Sequence, residues 1–224
     1  MSDGTTVWSS ESGIGALPGH IKGFGLMHVA MRRDAARLSA AAARGSSGPS
    51  GASGSAGSAA ELAEWFGRLR AVIDWHHHSE DEILWPYLRD RVAGFDGGGV
   101  LEEDHEALDR SMRRVAGVLG SGLRAELPEA AKGFEDLVRE HLGHEEPVVF
   151  PALAGLPVDE YLRVERRIIQ SAPTQVMTYL QPWMFDGADP ASVRAVSATI
   201  PAPVRLIGRT VLERRYRRTL APVL

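Results

Sequence analysis

The sequence predicts an all-α fold, an up-down-up-down four-helix bundle followed by a helical C-terminal extension. Four segments carry apolar residues at spacings of three and four, which is the period of an amphipathic helix. Loops that contain Gly or Pro separate these segments, and a chain of 224 residues is long enough for one domain with a well-buried core. Helices with one apolar face each bury those faces by packing as a bundle.

The predicted bundle spans residues 25–154 and follows an irregular lead-in at 1–24. Its first helix starts near Gly25 and fades into Ala and Gly. A Gly/Ser-rich segment at 45–58 comes next and has no apolar periodicity, so we expect a flexible linker there. The second helix starts near Ala59.

Glycine and proline mark the limits of the third and fourth helices. The loop FDGGG (95–99) precedes the third helix, residues 120–122 close it, and Pro128 opens the fourth. Residues 155–224 form the predicted extension. It contains a short helix at 158–172, a turn-rich stretch QPWMFDGADP, and a final basic helix in PAPVRLIGRTVLERRYRR.

Composition argues against several classes of function. The formal net charge of −4 disfavours general nucleic-acid binding. The absence of cysteine leaves only nitrogen and oxygen ligands for any metal. The N-terminus has neither the basic start nor the apolar core of a signal peptide, and no apolar run is long enough for a membrane span. We therefore expect a cytoplasmic protein.

An internal repeat carries the strongest functional signal. The segments HHHSEDEILWP (76–86) and HLGHEEPVVFP (141–151) share H-x3-E followed by five residues and a proline. The segments HVAMRR (28–33) and HEALDR (105–110) share H-x-A-apolar-x-R. Each half of the bundle thus supplies one His from its first helix, and a His and a Glu from its second. The six residues are His28, His76, Glu80, His105, His141 and Glu145.

The spacing of these residues predicts one shared metal centre. Residues i and i+4 lie about 40° apart around a helix, so His76 and Glu80 point the same way, as do His141 and Glu145. All six lie in apolar stripes, where a polar side chain is costly unless it is satisfied. Two buried carboxylates that face each other repel, and cations between them remove the repulsion. The competing interpretation is a duplicated core with purely structural histidines.

The pattern H…H-x3-E…H…H-x3-E, with each H-x3-E running into an aliphatic–aromatic–Pro stretch, resembles the hemerythrin-like HHE cation-binding family over roughly residues 25–152. The resemblance implies a four-helix bundle that holds two non-haem iron ions, bridged by carboxylates and by an oxo or hydroxo group. It implies that the six repeat residues are the ligands, and that the centre meets O2, peroxide or nitric oxide.

The chain departs from the oxygen-carrying hemerythrins in two places. Those proteins have a further His one turn before the third-helix His, where this chain has Leu101. They also have H-x4-D on the fourth helix, where this chain has H-x3-E. Both departures imply fewer nitrogen ligands, with an open position at the iron held by His105 and His141. Such a centre favours reaction with small oxidants, or their sensing, over reversible oxygen carriage.

Other polar residues beside the motifs have more ordinary interpretations. His77 and His78 follow the first motif His at 100° and 200° around the helix, so at most one of them reaches the metals. His77 is the better placed, but a partly exposed histidine is the simpler expectation. His144 is expected at the surface. Asp81 and Glu146 are expected on a solvated face, or as hydrogen-bond acceptors behind the ligands.

The extension contains a basic segment whose role the sequence leaves open. Residues 205–218 hold six arginines against one glutamate. This composition suits a membrane surface, an acidic partner, or a solvated face on a packed helix. Trp183 and Met184 are predicted to anchor the extension on the bundle.

Three functions fit the sequence. The first is a di-iron protein that binds or turns over O2, H2O2 or NO, with peroxide decomposition as the enzymatic form. The second is a non-enzymatic sensor or store of iron or oxygen that acts through a redox or signalling protein partner. The third is a structural module that has kept the histidines without the metal. The lack of a recognisable output domain favours the first.

Overall fold

The computed structural model describes residues 8–46, 59–97 and 99–224, and every regular element in these ranges is helical. The predicted all-α class is therefore confirmed. The predicted linker at 45–58 lies outside the described residues, apart from its first two positions. Within the described ranges, no helix combines the length and the apolar character needed to cross a membrane.

Four long helical segments enclose the core. They are α1 (Lys22–Ser46), α2 (Ala59–Ser79) continued through a π-helical turn (Glu80–Leu84) into α3 (Trp85–Arg91), α4 (Val100–Ser121) and α5 (Leu127–Gly155). Helix α5 packs against α1 and α4, and α2 packs against α4 and along a smaller contact with α1. The repeat motifs therefore face a common interior.

The described part of the lead-in before α1, residues 8–21, is packed against the protein. Helix α1 follows a 3-10 turn (Gly19–Ile21) and so begins earlier than the predicted start at Gly25. Ile14 and Leu17 are buried against it. A Cβ atom at Gly25 would lie 2.7 Å from Leu17 Cδ1, so this close approach requires glycine. The lead-in thus covers the part of α1 that carries His28.

The extension consists of short helices. They are α6 (Val158–Ser171), α7 (Thr174–Phe185), α8 (Pro190–Thr199), and α9 (Ala202–Ile207) continued through a π-helical turn (Gly208–Leu212) into α10 (Glu213–Thr219). The stretch QPWMFDGADP is not turn-rich throughout, because residues 181–185 complete α7. Burial of Trp183 and Met184 outweighs the helix-breaking tendency of Pro182.

A polar network fastens the extension to α1. The carboxylate of Asp34 is fully buried and accepts hydrogen bonds from Trp183 Nε1 at 2.9 Å and Arg33 Nε at 2.8 Å. Arg37 Nη1 bridges Asp34 at 3.0 Å and Asp186 at 2.6 Å. A buried charge is tolerated when it is paired in this way. Trp183 is therefore an anchor of the extension, as the sequence predicts.

Candidate metal centre

All six residues of the repeat meet in the interior of the protein. Helices α1 and α4 contribute one histidine each, and the α2 and α5 motifs contribute a histidine and a glutamate each. The six side chains are buried, and none is more than 6% exposed. They are His28, His76, Glu80, His105, His141 and Glu145. The structure thus brings together every residue that the sequence predicted for the site.

Each glutamate divides its two oxygens between two groups of histidines. On Glu80, Oε1 lies 3.1 Å from His76 Nε2 and Oε2 lies 3.6 Å from His105 Nε2. On Glu145, Oε1 lies 3.5 Å from His28 Nε2 and Oε2 lies 3.2 Å from His141 Nε2. Each carboxylate therefore reaches one histidine of its own motif and one from the other half of the repeat.

His77 joins the cluster, although the sequence pointed to a partly exposed side chain. It is 6% exposed, and its ring stacks on that of His105 with centroids 4.1 Å apart and planes 10° apart. Its centroid lies 5.0 Å from that of His141. Around the helix Glu80 stands at about 40°, between His76 at 0° and His77 at 100°, so a helix that aims Glu80 at the centre brings both histidines inward.

The repeat does contain a sequence pattern that indicates a core-facing position for His77. Its counterpart in the second motif is Leu142, which is fully buried. An apolar residue at the matching position indicates that this position faces the core in both halves.

Two groups of ligand atoms result. His28, His76, Glu80 and Glu145 form one, and His77, His105 and His141 form the other. In each group the ligand atoms lie within 4.8 Å of one another, close enough to hold one ion.

The family model described as the hemerythrin HHE cation-binding domain matches residues 21–153, more than half of the chain. The chain belongs to the hemerythrin HHE cation-binding family.

No curated protein and no solved structure matches the chain. As a member of this family the chain carries a cation-binding domain, and the histidine and glutamate clusters are where its metal would bind. Support for these residues as metal ligands therefore comes from the chemistry of the site itself.

The donor atoms of the hemerythrin-like site suit a metal. Within the part of the chain that the structure describes, the Nε2 atoms of all five histidines and both oxygens of each glutamate are buried without a well-formed hydrogen bond. Buried polar atoms are normally satisfied, so a cluster of this size is costly without a further partner. Imidazole nitrogen and carboxylate oxygen are the ligands that suit iron, manganese or zinc.

The pKa values of the clustered side chains also reflect the cost of burying them together. Burial, reinforced by the carboxylate of Glu145, raises the pKa of Glu80 well above its ordinary value. Burial would raise the pKa of Glu145 too, but the neighbouring imidazoles of His28 and His141 hold it below its ordinary value. Burial and the neighbouring histidines lower the pKa of His76 and His77. Neutral imidazoles of this kind have a free lone pair for a metal.

Two carboxylates outside the cluster orient the histidines. Glu146 Oε1 lies 3.1 Å from His28 Nδ1, and Asp81 Oδ1 lies 3.0 Å from His105 Nδ1. A carboxylate accepts a hydrogen bond from Nδ1–H, which leaves the Nε2 lone pair directed into the cluster. Glu146 and Asp81 occupy matching positions of the repeat, and each holds the histidine of the other half. The expectation of a solvated face is wrong for Glu146, which is 1% exposed.

Glu146 also connects the site to the lead-in. Ser10 donates to it from the backbone N at 2.9 Å and from the side-chain hydroxyl, and Arg32 Nη2 lies 3.3 Å away. No local sequence pattern indicates this contact, because Ser10 and Glu146 are 136 residues apart.

The remaining histidines near the motifs lie outside the cluster. His78 is exposed. His144 is exposed as predicted, and its Nδ1 lies 2.8 Å from Asp104 Oδ2. Leu101, which replaces the extra histidine of the oxygen carriers, is buried.

Proposed function

We propose that the chain is a hemerythrin-like non-haem di-iron protein that binds or reacts with small oxidants, namely O2, H2O2 or NO. The observation that carries the proposal is the division of the Glu80 and Glu145 oxygens between two groups of imidazoles. A carboxylate whose two oxygens face different ligand groups is suited to bridge two cations. Family membership and the nitrogen–oxygen donor set support iron at both positions.

The proposal includes the topology of the bundle. Residues 25–154 are the metal-binding domain, and residues 155–224 are an extension packed on it. The four long helical segments run up, down, up and down. Contacts between α1 and α2, α2 and α4, α4 and α5, and α5 and α1 support this arrangement, because each segment touches its neighbours in the chain and the ring closes.

We assign two histidines to the first ion and three to the second, with both glutamates shared. The first-ion histidines are His28 and His76, and the second-ion histidines are His77, His105 and His141. When bound, two adjacent irons supply a pair of one-electron redox centres that can take up a diatomic or peroxide ligand. His77 would give the second ion the nitrogen that a histidine at position 101 would otherwise supply. The first ion would then have one histidine fewer, so an open position would be expected beside His28 and His76.

Aromatic rings border this first position. The Phe24 ring centroid lies 4.7 Å from that of His28 and 5.4 Å from that of His76, and Phe150 stacks on His28 at 5.5 Å. Both phenylalanine rings are buried in the core. Apolar walls exclude water and offer no hydrogen bonds to a large polar substrate, which supports a small ligand.

Peroxide decay tests the reaction. The iron-loaded chain should break down hydrogen peroxide faster than the same concentration of free iron, and azide or nitric oxide should change its visible spectrum. The Glu80→Gln variant, incubated with iron in the same way, is the matched control. Peroxide breakdown no faster than that of free iron, in a chain that holds two ions, would remove the enzymatic form of the proposal.

Leu142→His tests the location of the open position. This variant gives the second motif the histidine that His77 provides in the first, and histidine is close to leucine in volume. We expect the affinity for azide to fall at least about tenfold, because the new histidine would occupy the position that azide would use. Leu101→His is the control, and it should leave azide binding nearly unchanged because His77 already serves the second ion. The opposite ranking of the two variants would place the open position beside His105 and His141.

A non-enzymatic sensor is the second candidate, favoured by the hydrogen bonds that connect Ser10 through Glu146 to His28. A change at the first ion would reach the lead-in through this path. Hydrogen exchange in residues 8–18 should then differ between the oxidised and reduced iron forms. Identical exchange in the two forms would count against a sensor.

A further inference from the structure

The C-terminal helix exposes an apolar segment next to a cluster of arginines. In α9, all of whose residues the structure describes, no residue is buried. Val204, Leu206 and Ile207 are 48%, 65% and 52% exposed, and Val211 in the following π turn is 62% exposed. Aliphatic side chains this exposed on consecutive turns are unusual on the surface of a folded domain.

One face of this helix changes from apolar to basic along its length. Val204, Ile207 and Val211 follow one another at spacings of three and four. Arg214, Arg215 and Arg218 continue the same face at the same spacing, and all three are exposed. The charge of the segment is opposite in sign to that of the whole chain, whose formal net charge is −4.

The opposite face holds the helix in place. A Cβ atom at Gly208 would overlap the side chain of Gln181, so the π turn lies directly on α7. Tyr216 is buried, and its hydroxyl donates to Asp186 Oδ2 at 2.9 Å. Arg205 Nη1 donates to the Ser197 carbonyl at 3.0 Å. The exposed residues are therefore presented outward by a helix that is fixed on its other side.

We propose that this helix, residues 202–219, docks the protein on an anionic lipid surface. Its aliphatic residues enter the boundary between headgroups and acyl chains, while its arginines contact lipid phosphates. Around the helix Leu206 lies about 100° from Ile207 and about 160° from Val204, so α9 is apolar over much of its circumference. A fluid lipid boundary can surround such a helix, whereas a groove on a protein partner covers one stripe.

A second copy of the chain fits this surface poorly. A twofold contact through the same patch would bring the arginines of both copies together, and like charges at an interface oppose association. An acidic surface is therefore the complementary one. The docking proposal does not depend on the metal centre.

Vesicle sedimentation of the full chain tests the proposal. The protein should sediment with vesicles that contain phosphatidylglycerol, should sediment far less with phosphatidylcholine alone, and should be released by high salt. Failure to bind phosphatidylglycerol vesicles, or equal binding to both vesicles, overturns it. A dimer that is dispersed by Leu206→Ser, without vesicle binding, also overturns it and assigns the patch to a second copy. Binding of a polyglutamate peptide without vesicle binding assigns it to an acidic protein instead.

Paired variants separate the apolar and basic contributions. Leu206→Ser with Ile207→Ser should weaken binding at least about tenfold per residue. Arg209→Gln, Arg214→Gln and Arg215→Gln together should weaken it about fivefold per arginine. The controls are Val100→Ser with Leu123→Ser, and Arg110→Gln with Arg113→Gln and Arg114→Gln, which alter exposed residues around α4. Both test sets should keep the wild-type thermal midpoint. Unchanged binding in either test set, or equal losses in its control, refutes docking by this helix.

Discussion

The three predicted ligands of one half of the repeat occupy places equivalent to those of the other half. The two halves differ at one further position. In each half, a first-helix histidine lies near the glutamate of the other half, and that glutamate also reaches the histidine one turn before it. The first motif then adds His77, where the second has Leu142. One exchange between histidine and leucine therefore gives the two groups of candidate ligands different numbers of imidazoles.

The surroundings of the two halves differ as well. Glu146, which orients His28, is buried and is held by Ser10 and Arg32. Asp81, which orients His105, has a side chain that is 36% exposed. The extension also contacts the first half of the repeat. Helix α7 packs on α1 and α2, and α6 packs on the π turn that begins at Glu80. The ligand group with fewer imidazoles, which contains His28 and His76, is thus the more firmly enclosed.

Removal of a shared glutamate should have the largest effect, since it affects both metal positions. Glu80→Gln and Glu145→Gln should each lose most of the bound iron, because an amide neither carries the negative charge nor bridges two cations well. Iron per chain is measured after identical loading. The exposed Glu82→Gln and Glu140→Gln are the matched controls. Retention of both ions in either test variant would contradict the bridging role.

Removal of His77 should affect one position only. His77→Ala should weaken the second ion and bring the iron content from two ions toward one, while the first ion stays bound. His78→Ala, one residue further along and exposed, should keep both ions. Titration of each variant with iron, monitored by the optical absorption of the bound metal, distinguishes the two variants. Equal iron contents in them would mean that His77 is only a core residue.

The orienting carboxylates should have smaller effects, which differ between the halves. Glu146→Gln should weaken metal binding by about 10- to 100-fold, a typical result for a partner behind a ligand. Asp81→Asn should weaken it less, because solvent can replace a half-exposed partner. Competition with a chelator measures both affinities. A larger loss for Asp81→Asn would reverse this ranking.

The smallest expected effect concerns Glu165, which lies against the first half only. Its Oε1 stands 3.4 Å from the position of a Cβ on Gly23, and burial raises its pKa from 4.5 to about 7. The folded state then holds a proton that the unfolded state has released, so stability falls as pH rises between these values. Glu165→Gln should therefore gain stability relative to wild type from about pH 5 to about pH 8.

Urea denaturation at several pH values measures this difference. Glu160→Gln is a poor control because Glu160 accepts a hydrogen bond from Tyr87. Glu140→Gln, at an exposed position of α5, is better suited. A stability difference between Glu165→Gln and wild type that does not change with pH would show that the carboxyl is ionised in the folded state.

The sequence predicted the class of fold and six residues of the cluster, because both depend on local spacing. Glycines and prolines at the ends of α4 and α5 mark their limits, and the H-x3-E repeat identifies ligands that share a helix face. The i, i+4 spacing alone centres the ligand face on His76, whereas in the structure Glu80 is at its centre. The spacing therefore underestimates the burial of His77. The Ser10–Glu146 contact and the network at Asp34 depend on chain segments far apart in sequence, so no local pattern indicates them.

Iron content is the most direct test of the account. The full chain is expressed with added iron, purified, and analysed for iron and for protein by amino-acid analysis. We expect close to two iron ions per chain, with a visible spectrum that changes on addition of azide. A folded chain with no iron, or with one ion that His77→Ala leaves unaffected, would contradict a centre built on two groups of histidines with shared glutamates.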